Sequence, residues 1–401
     1  MTIHPLVTIH PFIENSPDAD ANLFGTDDGG AKLQYYYALA NADYHALAKP
    51  ASVAPERQSG TSDNSQGLFS PVTTAPSTAP TSGTYVDAFG NAPAESLGFA
   101  APSHGGGGGG SGGGGGTPAP WTYSSGNLTF DINWDSSVGK APSGFVGAFE
   151  TAVKDLIVLN SPLPDTITLD VGWGETGGSM LPFGALGESA TNIFQVNYAA
   201  LQTAMNTYLV ANNDSPLPST NPEPNNTLWV AGAEEKALGL IPNNTSLDSS
   251  VGFSSRVSWN FTTSTTIGYD FISIAEHEIS EAMGRLSLIG ATISDNGTLY
   301  TNGLSPMDLF RYSAPGTRSV TSGQAAYFSP NGGASSGPVD NLTGSSLTYF
   351  NSTAGGDPGD WQSSGATSAG RDAYSAFASS GVQYAVSNVD QTLMNVLGFH
   401  G

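Results

Sequence analysis

One stretch of the sequence places metal-binding side chains and a candidate base at helical spacing. Apolar residues recur every three to four positions in YDFISIAEHEISEAMGRLSL, which predicts one long helix over 269–288. Helical neighbours four residues apart share a face, so His277 and Glu281 can chelate one cation. Glu278 lies about 100° round the helix from His277. From there its carboxylate can take a proton from a metal-activated water without binding the metal itself.

An ordinary surface helix accounts for the same residues without any metal. Glu281 and Arg285 are four residues apart, a spacing that commonly gives an exposed ion pair that stabilises a helix by about 0.2–0.5 kcal/mol. In this interpretation His277 is a partly buried helix histidine and Glu278 is solvated. The helix motif alone leaves both interpretations open.

The motif HEISEAMGR, beginning at His277, resembles the active-site helix H-E-x-x-H-x-x-G of the zincin metallopeptidases. It is more closely similar to a group of bacterial metalloprotease-like proteins whose helix reads HEI-S/T-E-x-MGR. Further segments fit that group: 172–175, 237–240, 252–254, 305–312, Asp390 and 397–399. The resemblance covers roughly 121–401. It implies an α+β, zincin-like metallopeptidase domain, with a mixed twisted sheet and a long active-site helix.

The resemblance also implies roles for single residues. His277 matches the first metal ligand, Glu278 the general base, and Gly284 the glycine at which a metzincin chain turns away from the helix. The sequence departs from the pattern twice, because Glu281 and Ser287 stand where the second and third histidines are expected. A carboxylate binds zinc at about 2.0–2.2 Å, so Glu281 is an acceptable ligand, although its negative charge weakens the Lewis acidity of the metal.

A third metal ligand has to come from outside the motif. Asp308 is the first choice, because some zincins use an aspartate and because 305–307 resembles a metzincin Met-turn, S-x-M. His400 is the second choice and Glu276 the third. The other histidines lie in the N-terminal third: His4, His10, His45 and His104.

Composition and charge exclude several classes of function. Eleven Lys and Arg against 34 Asp and Glu give the 401 residues a net charge of −23, which disfavours binding to nucleic acids and anionic membranes. No apolar run is long enough for a transmembrane helix, and no membrane insertion is expected. Cysteine is absent, which excludes disulfides and thiolate ligands. The acidic, Lys-poor composition predicts a secreted, extracellular protein, although the first residues do not form a Sec signal peptide.

The composition divides the chain into two parts. Residues 1–118 are rich in Pro, Ser and Thr and end in a glycine-rich linker at 105–116, which predicts a disordered N-terminal region. The folded domain is expected over 119–401. Its predicted strands are 127–134, 166–174, 251–253 and 257–261, and its predicted helices are 144–159, 197–211, 269–288, 371–379 and 389–397. From 289 on, the chain is expected to be mostly loop.

These observations predict a zinc-dependent metalloendopeptidase that acts on protein or peptide substrates, with Glu278 as general base. Zinc is the expected cofactor, and the acidic stretch 357–360 is a possible structural calcium site. The alternative is a catalytically inactive, secreted or cell-surface binding protein on the same scaffold. A pocket in which His277, Glu281 and one further ligand converge favours the peptidase.

Overall fold

The computed structural model describes residues 116–264, 267–295 and 298–400, and three short segments at 7–9, 13–14 and 84–86. The predicted N-terminal disordered region therefore lies largely outside the described residues.

The strands, numbered in chain order, are β1 Val7–Ile9, β2 Ile13–Glu14, β3 Thr84–Val86, β4 Trp121–Ser125, β5 Leu128–Trp134, β6 Asp165–Trp173, β7 Glu175–Thr176, β8 Ser179–Met180, β9 Gly187–Thr191, β10 Ile193–Gln195, β11 Thr227–Ala231, β12 Leu247–Phe253, β13 Trp259–Asn260, β14 Tyr269–Asp270, β15 Thr292–Asp295, β16 Thr298–Tyr300, β17 Gly303–Leu304, β18 Arg311–Ala314, β19 Thr317–Arg318, β20 Tyr327–Phe328 and β21 Phe377–Ala378. The α-helices are α1 Phe145–Leu156, α2 Tyr198–Ala211, α3 Gly232–Ala237, α4 Phe271–Ala282 and α5 Asn388–Val396. Short 3-10 helices cover Ser136–Lys140, Ile157–Leu159 and Met307–Phe310.

The largest sheet has the strand order β1-β9-β12-β6-β5-β4. Strands β5, β6 and β12 run parallel, while β4 and β9 run antiparallel to their neighbours in the sheet. Strand β5 alternates buried and less buried residues, so one of its faces belongs to the core. The sheet therefore ends, on the β9 side, in antiparallel pairs.

Aromatic side chains join the sheet to the two helices that pack on it. Phe145 of α1, Phe253 of β12 and Phe271 of α4 are fully buried, and their ring centroids lie 4.8–5.8 Å apart. Rings at such distances in tilted or edge-on arrangements add to the stabilisation from burial. This cluster fixes the start of α4 against the sheet and so fixes the direction of the face that carries His277.

The mixed α+β architecture expected from the sequence is confirmed, and most predicted elements have a counterpart. The matching pairs are 127–134 with β5, 166–174 with β6, 144–159 with α1, 197–211 with α2, 251–253 with β12, 257–261 with β13, 269–288 with α4 and 389–397 with α5. Beyond residue 289 the chain is mostly irregular, with short strands, as expected. Among the described residues, no helix is long and apolar enough to cross a membrane.

Helix α4 is shorter than predicted because Gly284 ends it. Gly284 has a φ of 120°, a conformation that favours glycine. The amides of Gly284 and Arg285 bond back to the carbonyls of Glu281 and Ser280 at 2.9 and 3.1 Å. This is the Schellman arrangement, which satisfies the last carbonyls of a helix and turns the chain sharply. The turn directs the Arg285 side chain back along α4, where it contacts Ser280 and Glu281.

The predicted helix over 371–379 is wrong. The amides of Ala373 and Ala376 bond to the carbonyls of Ala385 and Trp361 instead of to their own helical turn. The Asp372 side chain accepts a bond from the Tyr374 amide at 2.7 Å, a local contact that competes with helix formation. The segment therefore forms a turn at 372–375, where the Ser375 amide bonds to the Asp372 carbonyl at 3.1 Å, and leads into β21. Strand β9 and helix α3 were not predicted.

Candidate metal centre

Three buried side chains converge on one point: His277, Glu281 and Asp360 each offer a ligand atom within 4.8 Å of the others. His277 Nε2 lies 3.3 Å from Glu281 Oε1 and 3.2 Å from Asp360 Oδ1. Helix α4 supplies the first two residues at the expected spacing of four. The loop before β21 supplies the third. Two of the three expected ligands therefore lie together, and the third position belongs to Asp360.

The distances within this group are compatible with a shared cation. Ligand atoms bound to tetrahedral zinc at about 2.0–2.2 Å are separated by about 3.3–3.6 Å. Charge-assisted N–H···O bonds are shorter, at about 2.7–2.9 Å. The separations of 3.2 and 3.3 Å lie near the zinc values.

A backbone carbonyl fixes the orientation of the His277 ring. His277 Nδ1 donates to the Ala373 carbonyl at 2.9 Å, which leaves Nε2 to face the two carboxylates. A histidine that binds metal through Nε2 is commonly held in this way through its other ring nitrogen. Burial alone lowers the pKa of His277, but the carboxylates of Asp360 and Glu281 outweigh burial and raise the pKa to about 10.

Arg285 joins the two carboxylates from the other side. Its Nη1 donates to Asp360 Oδ1 at 2.8 Å, its Nη2 lies 3.3 Å from Glu281 Oε1, and its Nε donates to Ser280 Oγ at 2.8 Å. The guanidinium lies 4.4 Å from the centre of the Tyr374 ring and is fully buried. The Glu281–Arg285 pair is thus a buried network and not the exposed helix pair of the alternative interpretation. Its physical role is to hold both carboxylates in position.

Strand β9 holds Glu281 from the sheet side. Ser189 Oγ donates to Glu281 Oε2 at 2.6 Å, while Glu281 Oε1 faces His277 and Arg285. Both oxygens of this carboxylate are therefore oriented, and rotation of the side chain would break a contact on either side. Sequence analysis did not assign a role to Ser189, because its strand was not predicted.

Glu278 is fully buried beside this group. Among the described residues, neither of its carboxyl oxygens has a hydrogen-bond partner. Burial raises the pKa of Glu278 well above its usual value, and the nearby Glu281 carboxylate adds to the rise. A buried carboxyl without a partner costs free energy, so its position is typical of a group that meets a ligand or water.

Gly187, the first residue of β9, makes room for Glu278. A Cβ atom at Gly187 would lie 2.8 Å from Glu278 Cδ, closer than real Cβ atoms approach other atoms. Substitution Gly187→Ala is expected to displace the Glu278 carboxyl and, if this carboxyl takes part in a reaction, to lower the rate of that reaction at least about tenfold. Kinetic measurements check this. Gly147→Ala, at an exposed position of α1 with open space around it, is the control for a glycine substitution.

Asp308 does not lie in the metal-binding group. Its Oδ2 accepts bonds from the Leu288 and Ser305 amides at 2.9 Å each, and its Oδ1 accepts from Ser287 Oγ at 2.6 Å. Both oxygens are thus used to tie the segment after α4 to the 3-10 helix at Met307–Phe310. Asp308 therefore holds two segments of the chain together and does not lie where a metal ligand was expected.

The other candidate ligands also lie elsewhere. The His400 ring packs 4.8 Å from the Tyr208 ring, and its Nδ1 lies 3.2 Å from Asn212 Nδ2. Glu276 is buried on α4, where burial raises its pKa well above the usual value and the negative charge of Asp155 adds to the rise. The four histidines of the N-terminal third lie outside the described residues.

Met307 packs beneath the loop that carries Asp360. A Cβ atom at Gly359 would lie 3.0 Å from Met307 Cε and 3.0 Å from the Ser287 amide nitrogen. Met307 is fully buried, so its side chain supports this loop from the core. Met307 therefore lies close to the residue before Asp360, and the Met-turn resemblance stays a prediction.

Asp360 is the functional candidate that sequence analysis missed as a ligand. It belongs to the acidic stretch 357–360, which was considered only as a calcium site. Burial raises the pKa of Asp360, but His277 and Arg285 outweigh burial and lower it below the usual value. Burial raises the pKa of its neighbour Asp357 well above the usual value, and the Asp360 carboxylate adds to the rise. The acidic stretch 357–360 was the sequence signal that could have indicated a metal ligand here. The assignment of this stretch to calcium stays a prediction.

Three comparisons with known proteins found no match. No family model, no curated protein and no solved structure matches the chain. Function therefore has to be argued from the chemistry of these residues, since a fold alone does not determine an activity.

Proposed function

We propose that the protein is a zinc-dependent metalloendopeptidase. The observation that carries the proposal is the convergence of one imidazole and two carboxylates beside a buried glutamate with no partner among the described residues. His277, Glu281 and Asp360 are the proposed zinc ligands, and Glu278 is the proposed general base. Its substrates are proposed to be proteins or peptides.

The donor set favours zinc over harder cations. Imidazole nitrogen is a good ligand for zinc, whereas calcium and magnesium prefer oxygen ligands only. Two carboxylates and a neutral imidazole leave a divalent ion formally neutral, which weakens its Lewis acidity. Arg285 contacts both carboxylates and draws negative charge away from the ion. This offsets the weakening expected from a glutamate in place of the second histidine.

The residues divide the chemistry between them. Zinc, when bound, supplies Lewis acidity that lowers the pKa of water to about 7 and polarises a carbonyl group. Glu278 accepts a proton from the attacking water at a carboxyl oxygen and later returns it to the leaving amine. Arg285, Ser189 and the Ala373 carbonyl hold the ligands in position, so that little reorganisation is needed during the reaction.

The sheet supports the proposed zincin-like scaffold in coarse terms. Parallel strands β5, β6 and β12 are followed by the antiparallel strand β9, which contacts the metal-binding face of α4 through Ser189. Gly284 ends that helix in the way the resemblance implies. Secretion is also proposed, on composition alone.

Metal analysis and a chelator-controlled assay test the proposal together. Purified protein dialysed against zinc should retain about one zinc per chain and cleave casein, and a chelator should abolish the cleavage. Folded protein that retains no zinc would contradict the proposal. Zinc without cleavage would favour the alternative, a binding protein on the same scaffold.

The burial of the site is the observation that favours that alternative. His277, Glu278 and Asp360 have no exposed surface, and Glu281 has 1%. A substrate cannot reach such a group unless part of the structure moves, and a closed metal site is typical of a structural role. An active enzyme of this form therefore requires an opening step.

A further inference from the structure

Lys236 lies in the core of the protein between Asp165 and Asp248, and none of these three residues belongs to the metal-binding group. The side chain of Lys236, on α3, is 1% exposed, and those of Asp165 and Asp248 are 0% and 4% exposed. Asp165 begins β6, and Asp248 lies on β12 where the register between β12 and β6 shifts. We call the three residues the buried triad. A lysine is almost never buried this deeply unless its ammonium group is paired.

The two aspartates of the buried triad are held in different ways. Asp248 Oδ2 accepts bonds from Lys236 Nζ at 2.7 Å and from the Thr168 amide at 2.9 Å. Asp165 Oδ1 lies 3.8 Å from Lys236 Nζ, too far for a hydrogen bond, and neither of its oxygens has a hydrogen-bond partner among the described residues. The carbonyl of Thr166, the next residue, accepts a bond from Nζ and so holds the amine beside Asp165. An ion pair accounts for Asp248 but leaves the buried Asp165 carboxyl unexplained.

The environment of the triad favours an un-ionised Asp165 beside a basic Asp248. Burial raises the pKa of Asp165 to about 7, against the opposing positive charge of Lys236. About half of the Asp165 side chains are therefore neutral acids at pH 7. Burial also raises the pKa of Asp248, which makes it a stronger base than an ordinary aspartate. The triad thus brings together an amine, a base in contact with that amine, and a neutral carboxyl group, which are the groups that amide formation requires.

We propose that Lys236 and Asp165 are joined by an isopeptide bond, which the chain forms on itself with Asp248 as general base. The Asp248 carboxylate takes a proton from the Lys236 ammonium, and the freed amine attacks the carboxyl carbon of Asp165. The new Nζ–Cγ bond replaces the C–OH bond of Asp165, and the hydroxyl leaves as water with a second proton from the amine. Asp248 ends as a neutral acid. The step needs no oxidant, reductant or second reactant, and it is independent of the proposed peptidase function.

Burial and proximity both favour this reaction. It replaces an ammonium and a carboxylate in the core by a neutral amide and a neutral acid, which removes the cost of keeping two charges away from water. Well-oriented groups in one molecule react as if present at about 10⁵–10⁸ M. The bond would close a loop of 71 positions that contains β9, the strand whose Ser189 holds Glu281. It would therefore tie α3 covalently to the central sheet.

The intact mass of the full chain, measured in denaturing solvent, tests the proposal. The chain should be about 18 Da lighter than its calculated mass, because one water is lost. Lys236→Arg keeps the positive charge but lacks the amine, so this variant should have its full calculated mass. Lys154→Arg, at a lysine of α1 whose side chain is 45% exposed, is the matched control and should show the loss of about 18 Da. A wild-type chain with the full calculated mass would overturn the proposal, and that result does not depend on whether any variant folds.

Cleavage after glutamates locates the bond. Fragments 151–175 and 236–276 carry Asp165 and Lys236 respectively, and they should appear as one species, about 18 Da lighter than the two together. Asp248 also lies in 236–276, so a loss of water confined to that fragment would place the bond at Asp248 and overturn the proposal.

The role of Asp248 is tested by the rate at which the bond forms. Asp248→Asn keeps an oxygen that can accept the bond from Lys236 but cannot take its proton. In freshly translated protein sampled over time, the lighter species should appear at least about 100-fold more slowly in this variant. An equal rate in the variant and the wild type would overturn the assignment of Asp248 as general base.

Discussion

Replacing Glu278 by glutamine is expected to lower peptide hydrolysis about 10²–10⁴-fold while zinc stays bound. Glutamine has the same shape but cannot accept the proton from water. The substitution breaks no hydrogen bond among the described residues, because neither Glu278 oxygen has a partner there. Measurement of kcat/KM on a fluorogenic peptide, with zinc analysis of the same preparation, checks both parts of the prediction.

Glu276→Gln is the matched control for this substitution. Glu276 is also a buried glutamate of α4, and burial raises its pKa well above the usual value, so the amide closely resembles the protonated side chain. It does not belong to the metal-binding group. The control should retain both zinc and most of the turnover. Equal loss of turnover in both variants would mean that any change in this buried helix face disturbs the site.

The surroundings of Glu278 explain why its basicity depends on the metal. Burial and the Glu281 carboxylate raise the pKa of Glu278 well above its usual value, which favours the neutral acid. A divalent cation between His277, Glu281 and Asp360 would favour the carboxylate, because opposite charge lowers the pKa of a neighbouring acid. Binding of the ion would therefore lower the pKa of Glu278 and favour the form that accepts a proton.

Local spacing accounts for the parts of the site that could be predicted. His277 and Glu281 lie four residues apart, and a helix brings that pair together in any context. Gly284 is a typical helix-ending residue, so the sequence already indicated that the helix ends there and not at 288. Strand β5 was predicted for a similar reason, since its side chains alternate between core and surface, whereas most residues of β6 are buried.

Long-range contacts account for the parts that could not be predicted. Asp360 reaches the site from a loop, 79 positions after Glu281 in the sequence, and no periodicity connects the two residues. Strand β9 reads GESAT, which lacks the large apolar residues that mark most strands, although all five residues are buried. Asp308, in contrast, carried a local signal that pointed away from the metal. It stands three residues after Ser305, a spacing at which a carboxylate commonly bonds to a nearby backbone amide.

The largest expected effect on metal binding separates Asp360 from Asp308. Asp360→Asn keeps an oxygen that can accept the bond from Arg285 Nη1, so the buried guanidinium retains a partner and the protein should fold. A neutral amide is a poor zinc ligand, and zinc affinity should fall more than about 100-fold, beyond the 10–100-fold typical for residues that only orient a ligand.

Asp308→Asn should show the opposite result. Its carboxylate accepts bonds from Ser305, Leu288 and Ser287, so an amide there should lower the free energy of unfolding by about 1–3 kcal/mol and leave zinc affinity unchanged. Zinc titration against a chromophoric chelator, beside urea unfolding of both variants, distinguishes the two roles. If the Asp308 variant loses zinc while the Asp360 variant keeps it, Asp308 is the third ligand after all. The Arg285–Asp360 pair would then be only an ion pair that holds the loop against α4.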